Sequence, residues 1–460
     1  MKYLFLLFLP IIACTAQEAA QESTNISNTS TVISNVNVVD VREGSIDEGQ
    51  FVVIDSGRIS QILAQEAEWP EGVEIIDGSG KYLMPGLAEM HAHIPSPPQS
   101  RELIDQTLFL YLSNGVTTIR GMLGHPIHLE LREQAKNNAI LSPRIFTSSP
   151  SFNGNTVQTV EQAREKVQSA KEAGYDFLKL HPGIKLEVFN EIVNTANEVG
   201  IPFAGHVSVD VGIRRALESG YASVDHVDGF LEGLVPESAN VQPDENGFFG
   251  YNFTSLADTS MIDDLVQMSN ENEVWVVPTQ ALFDRWFSPE SAEMLAEAPE
   301  MQYMPKSTLD NWVESKTQLV GGADYSAEQW EEFNAIRHEM IHQLHENGQG
   351  LLLGSDAPQV FNVPGFSIHH ELNGMLQSGL TPLEAIQIGT INPAVFFGME
   401  GQFGEVTEGA SADLILINAN PLESLEAIKN PEGVMVRGRW LNREEIESRL
   451  AEIAQKNQSL

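Results

Sequence analysis

The sequence predicts an α/β protein: a parallel (β/α)8 barrel of the TIM type, with a small β-sandwich domain built from both flanks of the barrel. Between residues 85 and 398, eight short apolar segments alternate with helical stretches, and eight such repeats favour a parallel barrel. On both sides of this region, short segments alternate apolar and polar residues between Gly and Asp turns, which is the pattern of β-strands.

The eight predicted barrel strands are short and apolar. They are GLAEMHAH (86–93), VTTIRGM (116–122), RIFTSS (144–149), DFLKLH (176–181), PFAGHV (202–207), ASVDHV (222–227), VWVVPT (274–279) and GLLLGSD (350–356). Helical stretches such as KLEVFNEIVNTANEVG separate them, and Gly200 is predicted to cap that helix. The connections after strands 6 and 7 are long, and we expect them to shape a substrate pocket because loops at this end of a barrel form its mouth.

The flanking segments set the predicted domain boundaries. Residues 32–84 and 399–445 are assigned to one composite β-sandwich domain, and residues 85–398 to the barrel. Residues 446–460 are predicted to form a C-terminal helical tail.

The N-terminus predicts export. Residues 1–14 carry one lysine and an apolar run too short to span a bilayer, and they end in Cys14, which resembles a lipoprotein signal whose cysteine becomes acylated. The alternative is signal cleavage after Ala16. Residues 15–31 are polar and predict a disordered tether. We therefore expect an exported protein, periplasmic or anchored in the outer membrane through Cys14.

Composition limits the possible partners. The formal net charge is −38 with 64 acidic and 26 basic residues, so the surface repels phosphate backbones and nucleic-acid binding is not expected. Cys14 is the only cysteine, which excludes intramolecular disulfides. A lipid on Cys14 is the one membrane contact that the sequence suggests.

Metal-binding residue types recur where the predicted strands end. His91 and His93 end the first strand, and residues two apart in a strand face the same side. The others are Lys179 on strand 4, His206 ending strand 5, His226 ending strand 6 and Asp356 ending strand 8. One strand histidine is usually a hydrogen-bonded core residue, but six suitable residues at one end of a barrel indicate a metal site.

These segments also carry a family resemblance. MPGLAEMHAH, FLKLH, GHV, DHV and GSDAP resemble the successive metal-site signatures of the amidohydrolase superfamily, in particular its imidazolonepropionase-like and prolidase-like branches. The resemblance extends from about Val32 to Leu441, because the flanking β-domain is a family feature and the segment from GLTPLEAIQIG to ADLILIN is similar to the family's C-terminal block.

The resemblance implies two divalent metals, with zinc the metal best suited to the ligands. His91, His93 and Asp356 would hold one ion, and His206 and His226 the other. Lys179 would bridge them as a carbamate formed with carbon dioxide, because an ammonium has no lone pair to offer a metal. Asp356 would act as base and then as acid in metal-assisted hydrolysis.

Three further residues are candidates for substrate contact. His181 lies two residues after Lys179 on the same strand face, with core packing as the alternative. Arg120 could bind a substrate carboxylate, with a structural ion pair as the alternative, and Gly121 follows it where many relatives carry an acid. His369, in FSIHHEL, could reach the site. The loop aromatics Trp286, Phe287, Tyr303 and Trp312 could line an apolar pocket or pack the loop.

A second metal motif competes with this set. HEMIH, from His338 to His342, has the HExxH spacing of zinc proteases. It falls in the helix predicted before strand 8, on the outside of the barrel. Position 345 is His where the longer protease pattern requires Gly, and position 348 is Gly where it requires His. We interpret HEMIH as an exposed flank of that helix.

The leading functional hypothesis is hydrolysis of a C–N amide bond in a dipeptide, an N-acyl amino acid or a related amide. Opening of a cyclic amide, an imidazolone-type ring or a lactone at the same site is the alternative. An HExxH zinc protease and a non-catalytic surface-anchored binding protein are less favoured, the latter because the set of ligands is complete.

Overall fold

The computed structural model describes residues 26–458, so the predicted signal peptide, Cys14 and most of the predicted tether lie outside the described residues. The strands are β1 Thr31–Asp40, β2 Ser45–Asp55, β3 Arg58–Leu63, β4 Glu74–Asp77, β5 Tyr82–Pro85, β6 Leu87–Ala92, β7 Val116–Gly121, β8 Arg144–Thr147, β9 Leu178–Leu180, β10 Phe203–Gly205, β11 Ser223–Asp225, β12 Trp275–Val277, β13 Leu414–Ile417, β14 Gly433–Val436 and β15 Arg439–Asn442.

The helices follow the strands in the order expected of an α/β protein. They are α1 Arg101–Ser113, α2 Pro126–Lys136, α3 Val160–Ala173, α4 Leu186–Val199, α5 Ile213–Glu218, α6 Phe230–Gly233, α7 Ile262–Glu271, α8 Gln280–Leu282, α9 Ala292–Ala296, α10 Lys306–Val320, α11 Ala327–Asn347, α12 Ser367–Gln377, α13 Pro382–Gly389, α14 Ile391–Phe396 and α15 Arg443–Gln458. Short 3-10 and π-helical turns occupy much of the connections after β11 and β12.

The central strands form two parallel sheets in sequence order, β6–β7–β8 and β9–β10–β11–β12. An isolated parallel bridge between Ser148 and Phe177 joins the first sheet to the second. The predicted parallel α/β arrangement is therefore present, with the strand ends that carry the candidate ligands on the same side.

The predicted eighth strand is not a strand. Residues 350–356 pair with β12 through one isolated bridge, in which Leu352 N donates to Val276 O at 2.9 Å and Val276 N donates to Gly350 O at 3.1 Å. On the other side, Met90 N donates to Leu353 O at 2.7 Å. The segment is thus placed between β12 and β6 without forming a ladder. The backbone of Asp356 is left-handed (φ 62°), which ends any regular extended pairing there.

The two flanks of the chain meet in one eight-stranded sheet, in the order β15–β14–β13–β5–β1–β2–β3, with β4 paired to β1. The join is the antiparallel pairing of β5 with β13, in which Met84 lies opposite Ile415. Both residues are fully buried, so the first and last parts of the chain share one packed interior.

The helices show the predicted local signals. α4 ends at Gly200, whose left-handed backbone (φ 67°) closes the helix as the sequence predicts. α11 contains HEMIH and buries Phe333, Met340 and Leu344 along one side. α15 begins at Arg443, three residues before the predicted start of the tail. Within residues 26–458, none of the helices combines the length and the apolar character that a membrane span requires.

Candidate metal centre

Three of the predicted ligands lie together at the carboxyl ends of the parallel strands. His93 Nε2 lies 2.6 Å from Asp356 Oδ1, and His91 Nε2 lies 3.4 Å from the same oxygen. One ligand atom from each of the three residues lies within 4.8 Å of the other two. His91 and Asp356 are buried and His93 is partly exposed, so the cluster is open on one side only.

His206 and His226 lie next to this cluster. Their ring centroids are 4.5 Å apart, and the His226 ring is 4.6 Å from that of His91. The Nδ1 atom of His206 contacts Asp228 Oδ2 at 3.0 Å, and the Nδ1 atom of His226 contacts Thr279 Oγ1 at 2.8 Å. Because a partner fixes Nδ1 in each ring, Nε2 is the atom left to bind a metal.

Lys179 lies beneath the histidines and is fully buried. Its Nζ is 3.2 Å from Asp225 Oδ2, and His91 Nδ1 lies 3.2 Å from the same oxygen. The other carboxylate oxygen of Asp225 accepts a hydrogen bond from Arg120 Nη2 at 3.1 Å. Asp225 therefore connects one candidate ligand, His91, with the candidate bridging lysine and a buried arginine.

Sequence reasoning missed Asp225, although a signal was present. Ser223 and Asp225 alternate with Val224 along β11, so the period of two places both polar side chains on one face of the strand. The sequence analysis selected only His226 from this strand end, whereas the structure also places Asp225 against His91 and Lys179.

Glu89 is a second residue that the sequence reasoning missed. It shares a strand face with His91 and is fully buried. Its carboxylate accepts hydrogen bonds from the His91 backbone N–H at 3.1 Å and from the Ser355 backbone N–H at 2.7 Å. Glu89 thereby holds the segment before Asp356 against β6, and burial raises the pKa of its carboxyl to about 8.

Unusual backbone conformations turn the ligands into the site. His226 (φ 67°), Thr279 (φ 48°) and Asp356 (φ 62°) all adopt the left-handed region immediately after a parallel segment. Such conformations cost of order 1–3 kcal/mol each in non-glycine residues and cluster at functional sites. Gly205 (φ 130°) precedes His206, and a Cβ there would lie 2.2 Å from Leu180 O, so only glycine permits this close approach.

Burial sets the protonation of the ligands. It lowers the pKa of His91 to about 4 and holds the pKa of His226 well below its ordinary value, so both rings are neutral at pH 7. Burial also lowers the pKa of the Lys179 amine. For Asp356, burial alone would raise the pKa, but His91 and His93 hold it below the usual range. Neutral imidazoles beside an ionised carboxylate are the forms that bind a divalent metal.

The donor set fits divalent metal ions. Imidazole nitrogens and a carboxylate converge within contact distance, and partners orient two of the rings through Nδ1. The residues that would hold metal are His91, His93, His206, His226 and Asp356. Lys179 offers only a buried amine in its present form, so its ligand role depends on carboxylation.

The side chain of Arg120 is occupied by partners within the protein. Its side chain is fully buried, and its guanidinium donates to Met90 O at 2.7 Å, to Ser223 Oγ at 3.0 Å and to Asp225. Arg120 therefore forms a structural ion pair with Asp225, which was the second interpretation that the sequence allowed. A contact with a substrate carboxylate would require the guanidinium to abandon these partners.

His181 lies beside the metal ligands. Its ring stacks on that of His206 with centroids 5.2 Å apart, and its Nδ1 lies 2.9 Å from Ser151 Oγ. Burial lowers the pKa of His181 to about 2, so the ring is neutral. It lines a cleft of about 620 Å³ with Ser151 and Asn153, a position compatible with substrate contact.

His369 does not reach the site. Its Nε2 lies 3.2 Å from Asn114 Oδ1, and Asn114 ends α1 just before β7 begins. That end of β7 is opposite to the end that faces the metal ligands. The predicted substrate contact of His369 is therefore wrong, and the reason is that α12 directs this side chain toward the start of a strand.

HEMIH does not form a metal group within residues 26–458. His338 contacts Ser378 Oγ through Nδ1 at 2.8 Å and Asn334 Nδ2 through Nε2 at 3.3 Å, so both of its nitrogens are occupied. His338 and His342 are half-buried rather than exposed, because α12 and the turn after it cover this flank of α11. The expected exposure was wrong.

The four loop aromatics separate into two pairs. Trp286 and Phe287 pack against Phe248, with centroids 5.1 and 4.8 Å away, in the connection near the histidines. Tyr303 stacks on Phe366 and Trp312 packs on Phe361, in a different apolar cluster. The second pair therefore serves loop packing.

The fold and the site together define a class: a parallel α/β protein whose strand ends carry a histidine and carboxylate metal centre. The chain belongs to the amidohydrolase family, whose pattern matches residues 82–441. The match covers the whole region that holds the six predicted ligands.

Individual relatives are distant. The chain is 23% identical over 415 residues to the adenine deaminase of Ruegeria sp. (strain TM1040), an alignment that covers 87% of this chain and 56% of the deaminase. The chain thus spans a little over half the length of that curated relative.

Two solved structures share the fold over nearly the whole chain. The bottromycin amidohydrolase superimposes with a TM-score of 0.71 at 20% identity, covering 94% of this chain and 91% of that one. A putative prolidase from Bifidobacterium longum gives a TM-score of 0.64 at 24% identity, covering 93% and 99%. At these identities the likeness concerns the fold.

The buried position of Asp225 gives a stability prediction. Asp225→Asn leaves the guanidinium of Arg120 buried without its ion-pair partner, and removing one partner of a buried ion pair costs about 3–5 kcal/mol. We expect chemical denaturation to show a lower free energy of unfolding by about this amount. The matched control is Asp105→Asn, which removes an exposed i,i+4 partner of Arg101 and should change stability by less than about 0.5 kcal/mol. Equal stability of the two variants would contradict the central role of Asp225.

Proposed function

We propose that the protein is a binuclear metal-dependent amidohydrolase that cleaves a C–N amide bond in a dipeptide, an N-acyl amino acid or a related amide. The observation that carries this proposal is the convergence of His91, His93 and Asp356 beside two histidines whose Nε2 atoms are left for a metal. Membership of the amidohydrolase family supports hydrolysis of C–N bonds.

We propose that the two parallel sheets and the segment 350–356 form a (β/α)8 barrel over residues 85–398. The parallel bridges Ser148–Phe177, Val276–Leu351 and Ala92–Ala357 support this, because they connect the two sheets at both ends. Residues 32–84 and 399–445 would form the composite β-domain, which the pairing of β5 with β13 supports.

The candidate ligands would hold two metal ions, and zinc is the first metal to test. Divalent ions bound there would supply Lewis acidity toward a water molecule and toward the substrate carbonyl. Lys179 would join both ions after its neutral amine adds to carbon dioxide, forming an N–C bond and releasing a proton to give an anionic carbamate. Its fully buried position, where it shares an oxygen of Asp225 with His91, supports this role.

Asp356 would carry the proton during hydrolysis. Its Oδ1 lies against His93, while its Oδ2 lies 4.0 Å from His226 Nδ1 and makes no hydrogen bond within residues 26–458. Asp356 would therefore accept a proton from the attacking water on Oδ2 and deliver it to the departing amine nitrogen, acting as base and then as acid. Glu89 and Tyr111, which donates to Ala357 O, hold the segment around Asp356 in place.

Ring opening of a cyclic amide or lactone is the second candidate. The observation that favours it is the enclosure of Arg120, which leaves this guanidinium unable to hold a free α-carboxylate. A ring substrate needs no such contact. The Ruegeria relative is named as a deaminase, and deamination is also a hydrolysis of a C–N bond. The same metal-assisted chemistry would catalyse it.

We propose export for this enzyme, with Cys14 as a lipid attachment site. The apolar run that ends in Cys14 supports this, and so does the lack of any other cysteine in the sequence. Expression in a bacterial host with radiolabelled palmitate should label the wild type and leave Cys14→Ser unlabelled. Equal labelling of both proteins would contradict a lipid on Cys14, and an unlabelled but exported wild type would indicate cleavage after Ala16.

The catalytic proposal predicts a defined pattern of activity loss. In a screen of dipeptides and N-acyl amino acids on zinc-loaded protein, we expect Asp356→Asn to lower kcat/KM by about 10²- to 10⁴-fold, because the proton carrier is lost. Lys179→Ala should lower both bound metal and activity, since the residue that would bridge the ions is removed.

The matched controls lie in HEMIH. His338→Ala and His342→Ala should keep kcat/KM within about twofold of the wild type, because α11 holds them away from the strand ends. Full activity of Asp356→Asn and Lys179→Ala on any hydrolysed amide would mean that the site is elsewhere. Loss of metal in the HEMIH variants with the fold preserved would assign the metal to that helix.

A further inference from the structure

Five aromatic side chains from the two long connections meet beside the metal ligands. We call this group the aromatic wall; it consists of Phe248, Phe249, Phe283, Trp286 and Phe287. The first two come from the connection after β11 and the other three from the connection after β12. Consecutive rings along the wall are 4.8–5.1 Å apart between centroids, within the range of favourable aromatic pairs.

Phe249 is the member that faces the candidate ligands. Its ring centroid lies 5.9 Å from that of His206 and 5.5 Å from that of His226. Phe248, Phe249 and Trp286 are half-buried, whereas Phe283 and Phe287 are buried. The buried pair packs the wall from behind, so the other three present apolar surface beside the metal centre.

The backbone of Phe249 is strained. Its φ of 50° and ψ of 43° interrupt the helical turn Phe248–Leu256, and Gly250 follows at φ 82°. A bulky residue in the left-handed region is an outlier that persists only when its surroundings force it, and such strain collects at ligand sites. Packing of the loop alone does not require this conformation, because a right-handed helical backbone at Phe249 would have a lower conformational free energy.

Two sets of contacts force the conformation. On one side, Asn246 Nδ2 donates to Glu232 Oε1 at 2.7 Å, and a Cβ at Gly250 would lie 2.9 Å from Glu232 Oε2. On the other side, Tyr251 Oη donates to Ser326 O at 2.8 Å, and Gln329 Nε2 donates to Tyr251 O at 2.7 Å. The ring of Phe249 is therefore held in one place between two anchors.

Polar side chains also lie beside the candidate ligands. His181 stacks on His206, and it shares the cleft of about 620 Å³ with Ser151 and Asn153. Asn153 Nδ2 donates to Ser151 Oγ at 2.8 Å, which in turn contacts His181 Nδ1. The ring of His206 thus has an aromatic neighbour, Phe249, and a polar neighbour, His181, so a molecule bound at this ring would meet both kinds of surface.

We propose that the site selects amides with an aromatic or other bulky apolar group on one side of the scissile bond, which packs against Phe249. The polar part of the substrate faces the cleft of Ser151, Asn153 and His181. This inference rests on the proposed function and names its substrate class. Small apolar amides without a bulky group leave the aromatic wall exposed to water, so they are poorer substrates.

The test compares matched substrates and matched variants. kcat/KM is measured for dipeptide and N-acyl amino acid pairs that differ only by phenylalanyl against alanyl, varied in turn on each side of the amide. Wild type prefers the aromatic member on one side by about 10- to 100-fold, the ratio expected from burying one phenyl group. Phe249→Ala lowers kcat/KM for the phenylalanyl member much more than for the alanyl member, so most of this preference is lost.

Two controls separate specificity from folding. Phe249→Leu keeps an apolar side chain at the position and retains most of the preference. Phe51→Ala removes a half-buried phenylalanine that packs on Trp69 in the flanking sheet, and it leaves the preference unchanged. Phe249→Ala lowering both substrates equally would show a structural role and overturn the inference.

Binding supplies a readout that does not depend on turnover. L-phenylalanine and L-alanine, which have no amide bond to cleave, are titrated calorimetrically into wild type and Phe249→Ala. Wild type binds the aromatic compound at least about tenfold more tightly, and the variant loses this difference. Equal affinities in wild type would overturn the aromatic wall as a binding surface. Selective binding without hydrolysis of any amide would support the wall and count against the proposed reaction.

Discussion

The buried carboxylate of Asp225 is the interaction on which the rest of the site depends. It has no exposed surface, and it meets Lys179, His91 and Arg120 within 3.2 Å. A buried charge is tolerated only when it is paired and hydrogen-bonded, so these strand ends must stay in one register. Arg120 adds a bond to Met90 O, which connects β7 to β6 and β11. The positions of the ligands follow from this network.

Above that network, strained turns rather than strands aim the ligands. The left-handed residues His226, Thr279 and Asp356 stand where regular pairing ends, and the contact of Thr279 with His226 connects two of these turns. The long connections that contain the aromatic wall begin at two of these strand ends, those of β11 and β12. The network around Asp225 and these strained turns therefore act on neighbouring strand ends.

The sequence predicts the parallel α/β arrangement correctly because this arrangement rests on periodicity, whereas the assignment of the metal ligands stays a prediction. Strand alternation places His91 and His93 on one face, and the same rule applied to β11 would also have found Asp225. The eighth strand was overpredicted because its apolar composition cannot reveal that Asp356 turns left-handed. The substrate contact of His369 was misassigned, and the ion pair is the one of the two interpretations of Arg120 that the structure favours. In both cases the partners, Asn114 and Asp225, come from distant parts of the chain. The strain at Phe249 is likewise invisible without tertiary contacts.

The central claim is that these strand ends form a two-metal centre, and anomalous diffraction from zinc-loaded crystals tests it most directly. The account predicts two anomalous peaks per chain, one contacting His91, His93 and Asp356 and the other contacting His206 and His226, with Lys179 between them. A single peak on α11 at His338 and His342, or a well-ordered protein that binds zinc at neither position, would contradict it.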